Sequence, residues 1–553
     1  MQLDAQPIVV RPPSSSASIA SAARPVPARA QPASYQGDGA KSVVSAKLLI
    51  ILSTAIRATS ALVLMPLMIS AIGREHYGLW ISITTVTMYL SLSESGIGQT
   101  VVNEIGRAYA LEQKERISQI MATAFAIYCT LILIAGSVAI AAIILLPIGH
   151  YLLSEQDAAR YEPLLKACLV ASTLLALLRI PTLVFPGLLI GVRRLPLRTL
   201  WEIGGSVIAL VATVLAIYCG FGLLGLTVTM NSALFAVSAA ICLSSRQCGE
   251  WARLRLRNYR GRLVGPLLAS SVFYFLIGIA GVLDRSLTIL LAPRLDSLSA
   301  TPAFFLLTSL FRTAAYSIIA AMPRAVQPYI VMWSAKRQTT ELRRITHYLT
   351  KATTVAATLF VATVAPFARQ LVNGWLGYEG YPGDVLFWMV AGAFLIESFA
   401  CTPVFVLIAM NRQRLLAGLL IVKAAMSGVG AIVLAPHFDA PLVGVAAASV
   451  LTSVLAGIAI PFLIRSAIDA TWRDYLQQSF LRPLAFASLV PFAAAIIGAV
   501  DLYPIRLAAT AILSLVAILA AWHWVLSQDD RSLTRQAWNA IRSKTKTASS
   551  PLT

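Results

Sequence analysis

Nine charged residues stand inside stretches of this chain that are otherwise apolar. Five are basic (Arg57, Arg179, Arg285, Arg312 and Lys423) and four are acidic (Glu94, Glu202, Asp284 and Glu397). Even on the lower scales, one such charge at the centre of a membrane helix costs about 2.5–3.5 kcal/mol. Nine of them facing lipid would cost on the order of 20 kcal/mol or more, against the ~5–15 kcal/mol that holds a typical fold together. They must therefore face one another or a wet interior. Two chemistries follow. The bases could line an aqueous cavity and hold an anion, because the planar guanidinium donates paired hydrogen bonds to a phosphate. The acids Glu94, Asp284 and Glu397 could carry a coupling cation or close ion pairs, such as Glu397 with Lys423. Asp284 and Arg285 are adjacent and cannot point the same way, so at least one needs a partner on another helix. Glu202 lies two residues into its segment and reads as interfacial. The excess of bases favours an anionic ligand such as a pyrophosphate head group. No spacing suggests a catalytic residue or a metal centre. The six cysteines (Cys129, Cys168, Cys219, Cys242, Cys248 and Cys401) form no CxxC pair and read as packing residues, with only Cys219 near the outer face.

The elements that must position these charges are membrane helices. The 553 residues are 58% apolar and 12% charged, with a mean hydropathy of +0.76, whereas soluble domains carry roughly 25% charged residues. Apolar blocks of about 20 residues match the hydrocarbon thickness, and the short alternating segments of a β-barrel are absent. The expected fold is an all-α polytopic membrane protein of about fourteen transmembrane helices. These cover 48–71, 78–98, 121–147, 164–190, 200–219, 222–244, 266–291, 304–330, 349–370, 385–410, 415–435, 441–464, 483–500 and 505–527.

Between the sixth and seventh spans lies RQCGEWARLRLRNYRGR, residues 246–262, with six arginines against one glutamate. So basic a segment stays on the cytoplasmic face. With both termini on that face, inner segments carry 31 Lys and Arg and outer loops only Arg74, Arg160 and Arg294, as the positive-inside rule requires. The net charge of +20 is thus membrane topology rather than a nucleic-acid footprint, and no nucleic-acid-binding pattern is found. The expected organisation is a disordered tail over 1–47, a first lobe over 48–244, a basic linker over 245–265 and a second lobe over 266–464. Two further spans fill 465–527, and a basic tail fills 528–553. No loop is long enough for a catalytic or ATPase domain, no GxxxxGK[ST] element occurs, and no cofactor is indicated.

Six spans before the linker is an even number, so both lobes begin on the same side and form parallel repeats. Arg57 with Pro66 and Arg285 with Pro293 recur at similar spacing in the first span of each lobe. Arg179 and Pro181 put a charge and a kink within one turn, marking a bend in the fourth span.

Residues 57–118 carry a family resemblance. Arg57, Pro66, the turn Gly73-x-x-x-Tyr77-Gly78-x-Trp80, Gly96-x-Gly98 and Asn103 resemble the amino-terminal part of bacterial polysaccharide exporters and O-antigen flippases. These belong to the multidrug/oligosaccharidyl-lipid/polysaccharide superfamily. The resemblance implies alternating access by two rocking lobes in the bacterial inner membrane. It implies a lipid-linked anionic oligosaccharide as cargo, membrane lipid and polysaccharide synthesis enzymes as partners, and no enzymatic activity. Within it Arg57 and Arg285 would be cavity residues, joined by Arg179, Arg312 and Lys423. A cation-coupled multidrug exporter of the same superfamily and a non-transporting scaffold are the competing readings. Physically, Tyr77 and Trp80 are expected as interfacial anchors, and Gly96 and Gly98 as sites of close helix packing.

Overall fold

The computed structural model describes Ile56, Ser60 and residues 63–90, 93–192, 194–335, 337–410 and 412–535, with some helical side chains excepted. The tail expected over 1–47, Arg57, and the chain beyond 535 lie outside the described residues. Among the described residues there is helix and no strand. A bilayer dictates this, since each backbone N–H and C=O must be satisfied within its own segment. Side-chain hydroxyls obey the same demand. Thr123, Thr346, Thr350 and Thr358 each donate to the carbonyl four residues back, at 2.6–2.8 Å.

The protein is an all-α multi-pass membrane protein. Among the described residues eleven helices are long and apolar enough to cross a bilayer, from Lys114–Leu145 to Tyr503–Val525. The three other expected spans hold the helices Val63–Ile72, Arg74–Leu90 and Val264–Leu295. The fourth span does break where Arg179 meets Pro181. Its α-helix ends at Arg179, tightens to a 3-10 turn over Ile180–Leu183 and resumes over Val184–Gly191.

Helices between Arg74 and Ser245 pack mainly on one another, as do those between Val264 and Ala467. The last two long helices lie against Thr339–Val364. The halves meet along Val264–Leu295, which crosses Ser93–Ala110 and Arg74–Leu90. Near the end of that crossing closer to Val264, Ser271 Oγ donates to Thr100 Oγ1 at 3.0 Å. Gly96 permits that crossing, since a Cβ there would sit 2.7 Å from the Ser271 carbonyl oxygen and from Phe275 Cβ. At the opposite end, the segment after Val264–Leu295 folds over the first half. Leu298 is buried among Leu79, Ile83, Tyr161 and Leu165, Arg294 Nη1 donates to the Leu153 carbonyl at 3.1 Å, and Arg74 lies 3.4 Å over the Tyr378 ring. This cover corrects one expectation. Tyr77 is no interfacial anchor but is only 3% exposed, packed in the shared core and stacked on Trp80 at 5.5 Å.

Candidate functional site

Four of the intramembrane charges converge inside the second half. Asp284 comes from helix Val264–Leu295, Glu397 from Asp384–Ala409 and Lys423 from Gln413–Leu434. Arg312 comes from a π-helical turn, Ser309–Ala315, inserted between the helices Thr301–Thr308 and Tyr316–Ala335. One extra residue per turn re-aims a side chain, and such bulges collect at functional positions. The neighbouring Phe311 fixes the turn, being fully buried with its ring 5.5–5.9 Å from those of Phe387, Phe394 and Phe360.

Arg312 Nη2 lies 2.5 Å from Glu397 Oε1 and 3.3 Å from Asp284 Oδ2, while Nη1 donates to the Asp284 carbonyl at 3.0 Å. Lys423 Nζ lies 2.8 Å from Glu397 Oε1 and 3.0 Å from both carboxylate oxygens of Asp284. Ser453 Oγ adds a hydrogen bond to Glu397 Oε1 at 3.0 Å from a fifth element, the helix Pro441–Ala467. The basic side chains are 6–7% exposed and the acidic ones 13–16%. Two cations meet two anions, so the positive excess expected at Arg312 and Lys423 is balanced on the spot. Arg312 Nε is buried without a hydrogen-bond partner, so the guanidinium retains donor capacity.

Of the other site residues whose side chains are described, Arg179 and Glu202 make no contact with this cluster among the ion pairs and hydrogen bonds at Asp284 and Glu397. Arg179 is half-buried at the helix break in the first half. Arg285 and Glu94 lie on Val264–Leu295 and Ser93–Ala110, but their side chains, like all of Arg57, are outside the described residues. Glu202 closes an i,i+4 pair with Arg198 at 2.7 Å and takes no part. Between the halves lies a cavity of about 390 Å³. Among the described residues its walls include Tyr89, Ile132, Leu177, Ile180, Leu268 and Phe275 and are mainly apolar. A second π-helical turn, Ile132–Gly136, borders it.

Sequence reasoning missed a second buried pair. Lys351 Nζ lies 2.6 Å from Asp530 Oδ2, with both side chains under 10% exposed. Asp530 also accepts from Ser527 N at 2.8 Å and Ser527 Oγ at 2.7 Å, while its own N–H donates to Ser527 Oγ at 3.2 Å. That reciprocal cap starts the short helix 528–535. The signal available was a lysine two residues inside an apolar block.

No family model and no curated protein sequence matches the chain. Solved structures do. A lipid II flippase, MurJ, in an inward closed conformation superposes with a TM-score of 0.66 at 11% identity, covering 86% of this chain and 99% of that one. The fold is that of these transporters. An inward-facing multidrug-resistance MATE family transporter of the MOP superfamily gives 0.60 at 17% identity, covering 75% and 98%. A MOP superfamily transporter from Pyrococcus furiosus, with a binding pocket of reversed polarity, gives 0.55 at 16% identity, covering 78% and 96%.

Proposed function

We propose that the chain is a flippase. It carries polyprenyl-pyrophosphate-linked oligosaccharide units across the cytoplasmic membrane by alternating access, for assembly of a surface polysaccharide. The observation that carries this reading is the extent of the MurJ likeness, 86% of this chain against 75–78% for the multidrug transporters. Two further features support it. The apolar cavity between the halves suits a hydrocarbon chain. The nearby Arg179 offers a guanidinium to a pyrophosphate, with Arg57 and Arg285 proposed to complete the anion site. Arg312 and Lys423 are ion-paired with Asp284 and Glu397, and become available to the cargo's phosphates if those carboxylates withdraw. Cationic drugs need uncompensated acids, and Asp284 and Glu397 are fully matched by bases, which disfavours the drug-exporter reading.

The test is polysaccharide export in a strain carrying Arg57→Ala or Arg285→Ala, with membrane insertion checked in parallel. Export is expected to fail in both. Normal export in both, or a deletion strain whose only defect is drug sensitivity, overturns the reading.

A further inference from the structure

We propose that the basic strap between Cys248 and Val264 is a binding surface for anionic phospholipid head groups. The strap is not a slack connection. It runs through three 3-10 turns, Glu250–Ala252, Leu256–Asn258 and Gly261–Leu263, and it is docked on the first half. Ala252 and Leu263 are buried in that half's core. Asn258 Nδ2 donates to Ser118 Oγ at 2.6 Å, and the Arg260 backbone N–H donates to Thr123 Oγ1 at 3.2 Å. The Trp251 ring lies 6.5 Å from that of Tyr109.

That fixed base presents charge outward. Glu250 takes Arg253 at 2.8 Å and Arg255 at 3.2 Å. Arg246, Arg257, Arg260 and Arg262 are exposed and make no ion pair among the described residues. Interleaved with them are two exposed apolar side chains, Leu256 at 62% and Tyr259 at 44%. Helix Lys114–Leu131 packs against the strap and adds exposed Lys114 and Arg116. Bases interleaved with apolar groups are what an interfacial segment uses, the apolar groups entering the head-group region while the bases meet phosphates. On one side the strap leaves Leu223–Cys248, a helix long and apolar enough to cross a bilayer, and on the other it enters the 32-residue helix Val264–Leu295, so the strap is held within a few residues of the bilayer surface. A soluble polyanion would need the bases but not the apolar pair. Because the strap is docked on one half and continues into the first helix of the other, lipid binding would act where the halves join.

The experiment is hydrogen–deuterium exchange of residues 250–262 in the full chain, in nanodiscs of phosphatidylcholine alone and with increasing phosphatidylglycerol. Protection is expected to rise with the anionic lipid and to fall with added salt. The phosphatidylglycerol fraction giving half-maximal protection is expected to rise about fivefold for Arg257→Gln. Leu256→Ser, which leaves every docking contact in place, is expected to weaken protection as well. Equal exchange in neutral and anionic discs overturns the proposal. So does protection that appears only when an RNA oligonucleotide or polyglutamate is added to neutral discs. The assay requires no transport, so it stands or falls separately from the flippase reading.

Discussion

The Lys423 ammonium and the Glu397 carboxylate meet at 2.8 Å in the middle of the second half, and Glu397 Oε1 also takes Arg312 at 2.5 Å. Removing one member of such a group leaves an uncompensated charge where water cannot repair it. Lys423→Met is expected to cost about 3–5 kcal/mol of stability. Lys423→Met combined with Glu397→Met is expected to recover most of that loss, since Arg312 and Asp284 remain a matched pair. Thermal unfolding in detergent across the double-mutant cycle measures the coupling. Additive losses would mean that the two side chains do not depend on one another.

Arg312 reaches three acceptors at once, Glu397 Oε1, Asp284 Oδ2 and the Asp284 carbonyl. A lysine keeps the charge but offers a single compact head on a shorter stem. Arg312→Lys is therefore expected to leave at least one acceptor unsatisfied and to cost about 1–3 kcal/mol, while transport falls more than tenfold. Wild-type flipping of a fluorescent lipid-linked sugar in vesicles containing the variant would show that the fork geometry is immaterial.

Much of this cluster could be read from the chain and some of it could not. Opposite charges within apolar blocks demand partners or water, so the pair Glu397 with Lys423 stands as the alternative to a cationic cavity, and the adjacency of Asp284 and Arg285 requires a partner on another helix. Asp284 finds two. Ser453 carried no signal, because a lone serine in an apolar helix ordinarily bonds to its own backbone. Lys351 was hidden by its place near the end of a block, where a long side chain can reach water unaided. Its partner lies 179 residues further on, beyond the last span, and no local pattern links them. Hydropathy places the long helices, and among the described residues eleven of the fourteen expected spans coincide with helices long and apolar enough to cross a bilayer. How the two halves seal against one another depends on contacts such as Leu298 in the first half's core, which composition does not encode.

The Lys351–Asp530 pair gives a pH prediction. Burial is the largest single influence on Asp530 and raises its pKa. Hydrogen bonds from Lys351 and Ser527, with the Lys351 charge, together outweigh it and hold the group below the usual carboxylate value. A depressed folded pKa contributes stability that is complete above the unfolded value of about 3.9 and is lost as pH falls through the folded one. Asp530→Asn is therefore expected to be less stable than wild type from neutral pH down to about 4, with the gap closing at lower pH. Unfolding midpoints measured from pH 7 to pH 3 test this. A gap that widens in acid would contradict the assignment of the charged pair.

The seal opposite the strap rests on Gly78. A Cβ there would fall 2.2 Å from the Leu298 carbonyl oxygen, a backbone atom that cannot swing aside. Leu298 itself is 1% exposed and packed among first-half residues. Gly78→Ala is expected to unseat this segment and shift the population toward conformers open on that face. Ser297→Cys, in a background with Cys219 replaced, would then react with a membrane-impermeant maleimide about tenfold faster. Gly204→Ala is the control, since its added carbon meets nothing within 4 Å and should leave labelling unchanged. Under alternating access, a protein unable to close one face cannot complete a cycle, so Gly78→Ala should also stop flipping while the cluster at Glu397 stays intact. Faster labelling with normal flipping would separate this contact from the transport cycle, and unchanged labelling would remove it as a seal.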